Sequence, residues 1–322
     1  MSFRQTTVSG FPAVALRTAE LEVVVVPSIG MKLTNLRRPT GREWLWRSDQ
    51  IPLAPPRPGA SYVETADSGG WDECFPTVGP CPVPGAPPDT PPLADHGELW
   101  SSPWSSSVYD HDRGTTLTGA TAGTVFPYEF ERHITLDSHE PVMRLSYRLR
   151  HTGDTPFPWI WSSHPLLNVQ PGSTLALPGL KQVKVDAVHG RHDIKVRDMV
   201  TWPEGIAGKT GHFTFPSEGG WALKVFGDVG PSGSMEVTDP RRGERLEMVV
   251  QPGQVPQVGL WINCRGWAPP GRTPYYNLAL EPCIGAPDRL DTAVTDWQTA
   301  QTLNPGEERT WGVEVRLPDP TD

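Results

Sequence analysis

Glycine and proline punctuate this chain more than any other feature: 32 glycines and 37 prolines stand among 322 residues, about one position in five. Relative to alanine, a helix interior loses roughly 1 kcal/mol for each glycine and about 3 kcal/mol for each proline. At that density there is no room for the long helices of a bundle or coiled coil, and no fixed repeat suggests a collagen-like rod, a solenoid or a propeller. What remains is a series of short extended segments joined by turns.

Period-two alternation marks such segments at residues 20–26, 128–136, 143–149, 174–177, 183–188, 221–226, 246–250, 258–262, 277–280 and 312–317. Turn formers separate them, among them Pro171-Gly172-Ser173, Gly227-Asp228, Asp239-Pro240 and Asn304-Pro305-Gly306-Glu307. The pattern predicts an all-β protein, a large antiparallel β-sandwich or a barrel. A short helical turn is expected only around residues 297–303. Residues 51–92 have the Pro- and Gly-rich composition of an interdomain linker, yet they contain Gly69-Gly70-Trp71-Asp72-Glu73-Cys74-Phe75-Pro76. Flexible linkers seldom mix aromatic and acidic residues in this way. A long ordered loop lying across the sheet is therefore expected, and with it a single domain over residues 1–322.

Thirteen tryptophans need a core to pack in. The formal charge is −9 and no Lys/Arg-rich run occurs, which argues against a surface that tracks nucleic-acid phosphates and for a neutral or weakly polar ligand. Cys74, Cys81, Cys264 and Cys283 form no Cys-x-x-Cys pair and read as reduced thiols. The longest apolar stretch, residues 23–27, cannot span a bilayer, and Met1-Ser2-Phe3-Arg4-Gln5 lacks a basic segment leading into an apolar run. The expectation is a cytoplasmic protein without membrane partners, a monomer or a homodimer.

Several motifs fail on inspection. Residues 205–210 read Gly-Ile-Ala-Gly-Lys-Thr, but Pro203 stands where a phosphate loop needs its first glycine. His189, His192 and Asp193 in one turn-like stretch read as a solvated loop, and no metal is assigned. Three polar positions stand apart. In residues 159–168, Ile160, Ser162 and His164 share one face of a strand, Trp159, Trp161 and Ser163 the other, and Pro165 is expected to end the ladder after His164. His164 is either a satisfied core or rim histidine or a site imidazole. In residues 277–283, Asn277, Ala279 and Glu281 share a face, Leu278 and Leu280 face the core, and Pro282 is expected to close the strand. Glu281 is either a surface acid or a partly desolvated one whose proton affinity burial would raise. Asp95-His96-Gly97-Glu98-Leu99-Trp100 forms a third cluster, in which glycine permits close approach of backbone to a ligand and Trp100 offers a flat face.

In this order, the His96-Gly97 turn, His164-Pro165-Leu166-Leu167-Asn168, Asn277-Leu278-Ala279-Leu280-Glu281-Pro282 and the closing Leu303-Asn304-Pro305-Gly306-Glu307 turn resemble the aldose 1-epimerase (galactose mutarotase-like) family. The resemblance implies one large antiparallel β-sandwich, a supersandwich, with a monosaccharide cleft on its concave face lined by His96, His164 and Glu281, and no cofactor. It further implies that Glu281 is the general base on the anomeric hydroxyl, His164 the general acid on the ring oxygen, and His96 a hydrogen-bonding partner of a sugar or ring oxygen. Anomer exchange through ring opening and reclosure needs only one such base and one such acid, with Glu281 ionised and His164 protonated near its ordinary proton affinity.

Two departures bear on the substrate. Galactose-specific members of the family carry an arginine in the early loop, where this chain reads Trp71-Asp72-Glu73-Cys74; Trp71, Asp72 and Glu73 become candidates for sugar contacts. Carboxylates suit a neutral sugar, although Arg265 and Arg272 are candidates for an anion site. Leu166 stands where an aromatic residue is usual. Two alternatives remain: a non-catalytic carbohydrate-binding or sensing protein on the same fold, and a mutarotase for a phosphorylated or sulfonated sugar.

Overall fold

Short strands with one apolar face are unstable alone and gain stability by pairing and stacking. In the computed structural model, which describes residues 2–207 and 211–319, they do so in two large sheets. The first has eleven strands in the order Phe3–Val8, Phe11–Arg17, Glu22–Val26, Lys32–Arg37, Trp71–Cys74, Trp161–Leu167, Tyr276–Ile284, Gln257–Cys264, Trp221–Asp228, Gln182–His189 and Met199–Thr201. The second has nine, in the order Phe213–Thr214, Thr174–Ala176, Ser234–Asp239, Glu244–Val250, Glu308–Arg316, Val142–His151, Tyr128–Asp137, Gly114–Ala122 and Ser105–His111. Neighbouring strands pair antiparallel, and each of the ten alternating segments overlaps an observed strand.

The inward faces of both sheets meet in one continuous cluster, with Leu33, Trp71, Trp161, Val225 and Leu278 from one side and Ile134, Leu145, Tyr147, Met248 and Val313 from the other. Each such side chain contributes about 1.5–3 kcal/mol on burial. Because successive side chains alternate, Lys224 between Leu223 and Val225, and Glu281 beside Leu280, point to the face turned away from the second sheet. That face carries the polar chemistry described below.

Three expectations need correction. The helical turn lies earlier, at Leu290–Thr295, while Gln301–Leu303 forms a small ribbon with Phe157–Trp159. Trp297 closes the helix by donating its N–H to the Thr292 carbonyl at 3.0 Å, and Gln298 takes a left-handed φ of 54°, which turns the chain into the strand. The segment 51–92 is ordered, but it does more than lie across the sheet: Trp71–Cys74 is inserted between Lys32–Arg37 and Trp161–Leu167 as a strand. Pro165 and Pro282 do not end their strands; each lies inside one, in register with Trp71 and Val258 respectively.

All four cysteines are free and buried. Among the described residues no helix is long and apolar enough to cross a membrane. Residues 208–210, the end of the discarded phosphate-loop motif, lie outside the described residues.

Candidate active site

A proline has no N–H to give to a ladder, and here two prolines open one. Trp161–Leu167 pairs with Tyr276–Ile284 at Trp161↔Ile284 and Ser162↔Cys283, parts, and rejoins in the same register at Leu166↔Ala279 and Leu167↔Leu278. The unpaired stretch contains Pro165 and Pro282, and within its register His164 lies opposite Glu281. The sequence thus places an imidazole against a carboxylate: His164 Nε2 is 3.7 Å from Glu281 Oε1. Alternation holds as expected, with Ser162 on the same face donating to Glu281 Oε2 at 3.2 Å.

Glu281 is fully buried and closely held. Lys224, from Trp221–Asp228, donates to Oε1 at 2.7 Å and to Oε2 at 2.6 Å and also lies 3.1 Å from Asp288 Oδ1. Burial opposes the Lys224 charge, yet Asp288 and Glu281 more than offset it and raise its proton affinity. Burial raises that of Asp288, Lys224 notwithstanding, and pushes Asp186 up to about 6 with help from the Asp288 charge. Gly259, opposite Glu281 in the next strand, leaves the space that this carboxylate occupies, since a Cβ there would sit 3.1 Å from Oε2 and 2.8 Å from the Phe226 ring.

The second histidine arrives on a turn. Gly97 bridges Phe75, and His96 beside it takes a left-handed φ of 60°, uncommon for a residue with a Cβ. The His96 ring stacks on Tyr62 with centroids 4.0 Å apart and meets His164 edge-on at 4.9 Å. Its Nδ1 lies 2.8 Å from Asp95 Oδ1. Gly97 itself has φ 68°, and a Cβ on it would lie 2.1 Å from the Phe75 carbonyl oxygen. Gly97→Ala is accordingly expected to destabilise the protein by more than about 1 kcal/mol in chemical denaturation; unchanged stability would show that the turn relaxes freely.

The expected proton affinity of His164 is corrected. Burial, and then the positive charges of His96, Lys224 and Lys32, hold it well below the ordinary value of 6.5. His96 behaves oppositely: burial pushes it down, but the hydrogen bond and charge of Asp95 outweigh this and raise it.

The early-loop candidates Trp71, Asp72 and Glu73 are buried and held by neighbouring side chains. Alternation turns Trp71 and Glu73 into the core, where Trp71 donates to Ser163 Oγ at 2.7 Å and Glu73 accepts from Tyr147 and Trp161 at 3.0 and 2.9 Å beside Arg132. Burial pushes the Glu73 carboxyl up to about 7 despite that guanidinium. Asp72 lies beside His164 in register but is engaged by Lys32 and by the Tyr62 hydroxyl, each at 2.5 Å. Trp100 is buried, its indole N–H given to the Asp95 and Gly97 carbonyls.

Around the histidines and Glu281 is a cavity of about 190 Å³, small beside the roughly 300–1,000 Å³ of drug-sized pockets. Asp67, Lys224 and Asp288 add charge to its lining, Trp261, Trp267 and Tyr275 form an aromatic wall, and Leu166 and His189 are among the other lining residues. Burial pushes Asp67 up to about 6 against the charges of Lys32 and His96. Arg265 and Arg272 do not reach this lining: Arg265 lies over the Tyr276 ring at 5.0 Å and Arg272 donates to the Gln50 carbonyl at 2.8 Å. Among the described residues no three His, Cys, Asp or Glu side chains form a metal set. Lys224 is the site residue that sequence reasoning missed despite a local signal, a lone charge in the apolar alternating run Trp221-Ala222-Leu223-Lys224-Val225-Phe226.

A two-sheet β-sandwich with a small cavity of charged and aromatic side chains on the outer face of one sheet defines the class, and comparison with known proteins defines the family. The aldose 1-epimerase family profile matches residues 12–316, and the chain belongs to that family. The sandwich is of the galactose mutarotase-like kind. Similar solved structures include the Slr1438 protein from Synechocystis sp. PCC 6803, with 19% identity over 97% of this chain and 99% of that one and a TM-score of 0.68. A galactose mutarotase related enzyme from Lactobacillus acidophilus has 14% identity over 96% and 98% of the two chains, with a TM-score of 0.66. A galactose mutarotase-like protein from Lactobacillus casei ATCC 334 has 16% identity over 95% and 100%, with a TM-score of 0.64. At these identities the likeness is one of fold. No curated protein matches the chain.

Proposed function

We propose that the protein is an aldose 1-epimerase, a mutarotase that interconverts the α and β anomers of a free, uncharged aldose. The observation that carries this reading is the opened ladder, which leaves His164 and Glu281 opposed 3.7 Å apart at one cavity with His96 against them. Glu281 takes the proton of the anomeric hydroxyl, a histidine protonates the ring oxygen, and the C1–O5 bond breaks. Rotation about C1–C2 and reclosure yield the other anomer. Each proton transfer contributes typically ~10²–10⁴-fold.

Two features support an uncharged substrate. Asp67, Glu281 and Asp288 repel an anion, and the guanidinium groups that would hold one, Arg265 and Arg272, are outside the lining. An aromatic wall beside hydroxyl-accepting carboxylates suits a pyranose, apolar on its faces and polar on its rim. Four unpaired buried thiols suit a reducing compartment, so the cytoplasm is the proposed location. The continuous core between the sheets supports one domain.

A second reading, a carbohydrate-binding protein without turnover, is favoured by one observation: Lys224 donates to both oxygens of Glu281. Ligand titration followed by tryptophan fluorescence tests the substrate class. Neutral aldoses are expected to bind at least about tenfold more tightly than their 6-phosphates; the reverse order contradicts the reading of the charged lining.

A further inference from the structure

Anomer exchange occupies one edge of the pyranose, C1 with O1 and the ring oxygen, and leaves the hydroxyls on C2, C3 and C4 to be recognised by the rest of the cavity. We infer that Asp67 is the residue that recognises them: its carboxylate accepts hydrogen bonds from two neighbouring hydroxyls of that set and thereby selects which aldose is turned over. Which hydroxyls remain for Asp67 rests on the mutarotase reading, since that reading places C1 at Glu281.

Asp67 differs from the other acids around the cavity. Asp72 is taken by Lys32 and the Tyr62 hydroxyl, Asp95 by the Ser61 hydroxyl, the Val63 N–H and the His96 ring, and Lys224 pairs with both Glu281 and Asp288. The Asp67 residue is only 5% exposed. Among the described residues its carboxylate nevertheless makes a single hydrogen bond, in which Oδ1 accepts from the Gly69 N–H at 3.4 Å, longer than the usual range for such a bond. An ionised carboxylate offers about four lone-pair sites, and native structures seldom bury such a group without filling them. This one lines the cavity, where sugar hydroxyls can supply the missing donors. Burial raises its proton affinity to about 6, which leaves it ionised at pH 7 and able to accept from two hydroxyls at once.

The turn that carries Asp67 is fixed on several sides. The Asp67 N–H donates to the Tyr62 carbonyl at 2.9 Å, Lys32 donates to the Gly69 carbonyl at 2.8 Å, and the Gly70 N–H donates to the Trp46 carbonyl at 2.8 Å. Gly69 takes a left-handed φ of 80°, and a Cβ there would lie 2.2 Å from the Trp46 carbonyl oxygen. Trp46 in turn packs on Tyr275 of the aromatic wall, with ring centroids 4.8 Å apart. Asp67 is close enough to that wall for its charge to add to burial in raising the proton affinity of the Tyr275 hydroxyl. A pyranose laid with an apolar face on the wall therefore turns its hydroxyl rim toward a carboxylate held in place before the sugar arrives. A site built to bond a hydroxyl rejects an analogue that lacks it, because the buried polar group is then left unpaired. An epimer that presents one of the two hydroxyls on the wrong side of the ring meets the same penalty.

The test measures binding and turnover separately. Dissociation constants from tryptophan fluorescence, and kcat and KM from NMR anomer exchange, are compared for the best-bound neutral aldose and its 2-, 3- and 4-deoxy analogues in wild type, Asp67→Asn and Asp67→Ala. With wild type, loss of either of two adjacent hydroxyls is expected to weaken binding roughly 10–100-fold. Asp67→Ala should bind the parent sugar more weakly by at least a similar factor, and the two losses should not multiply when combined, because both remove the same hydrogen bond. Asp67→Asn, which keeps one acceptor oxygen, should fall between. The effect should lie in KM, with kcat at saturating sugar nearly unchanged. Denaturation midpoints of both variants should equal or exceed that of wild type, since a buried and poorly partnered charge is removed. Losses that multiply, deoxy analogues bound as tightly as the parent, or variants whose stability falls together with their binding overturn the assignment and leave the mutarotase reading standing. Wild-type protein that shows the expected binding pattern and accelerates no aldose overturns the mutarotase reading and leaves Asp67 as the selecting residue; wild-type protein that binds no aldose overturns both.

Discussion

Glu281→Gln is expected to lower the protein-dependent rate of anomer exchange by roughly 10²–10⁴-fold. The amide keeps the volume of the side chain and an oxygen for the Ser162 hydroxyl, but it cannot take up the O1 proton. Sugar binding should change far less than turnover, because the aromatic wall and Asp67 are untouched. Exchange measured at saturating sugar separates the two effects. A variant that turns over at the wild-type rate would remove Glu281 from the chemistry.

Lys224→Met carries the second large effect. The lysine side chain is almost fully buried and is the ion-pair partner of buried Glu281 and half-buried Asp288, with half-buried Asp186 close by. Removing one partner of a buried pair typically costs about 3–5 kcal/mol, because the other charge is stranded. Equilibrium denaturation at pH 7 should show a loss of that order. The loss has a predictable pH dependence. Burial raises Asp186 from 3.8 to about 6 and raises Asp288 as well, so the folded state binds protons more readily than the unfolded one. Stability attributable to these acids therefore rises as pH falls from about 6 toward 4 in the wild type; without Lys224, which lowers both values, the same acids protonate at higher pH, so the deficit of the variant should shrink as pH falls toward about 6 and level off below it. A deficit independent of pH would mean that Lys224 acts through packing alone.

The strands that alternate cleanly were readable from sequence because one face is buried and the other is not, as in Tyr128–Asp137 and Val142–His151. Ser105–His111 was not: it is an edge strand, nearly all exposed, with no apolar face to betray it. Trp71–Cys74 was hidden for the opposite reason, since all four residues are buried and no alternation shows. Pro165 and Pro282 were read as stops by their local rule, but the flanking strands hold both segments while the ladder between them opens. That opening is a property of two strands more than a hundred residues apart in sequence, which no local pattern records.

At the site, His96, His164 and Glu281 were legible because each sits beside a glycine or proline at the edge of an apolar run. Asp67, Tyr275 and Asp288 were not, since their segments meet only when the eleven-stranded sheet is assembled. Trp71, Asp72 and Glu73 read as a polar loop because a charged strand buried on both sides resembles one when taken alone. The reversal between the two histidines was beyond sequence too, as it depends on which cations and carboxylates face each ring.

Two-dimensional NMR exchange spectroscopy on a panel of neutral aldoses tests most directly the proposal that this chain catalyses anomer exchange with Glu281 as base. Cross-peaks between the α and β resonances of at least one aldose are expected to strengthen with wild-type protein and to fall to the spontaneous level with Glu281→Gln. Resonances that broaden on binding while no α–β exchange is accelerated would contradict it and make the protein a carbohydrate binder on a mutarotase fold.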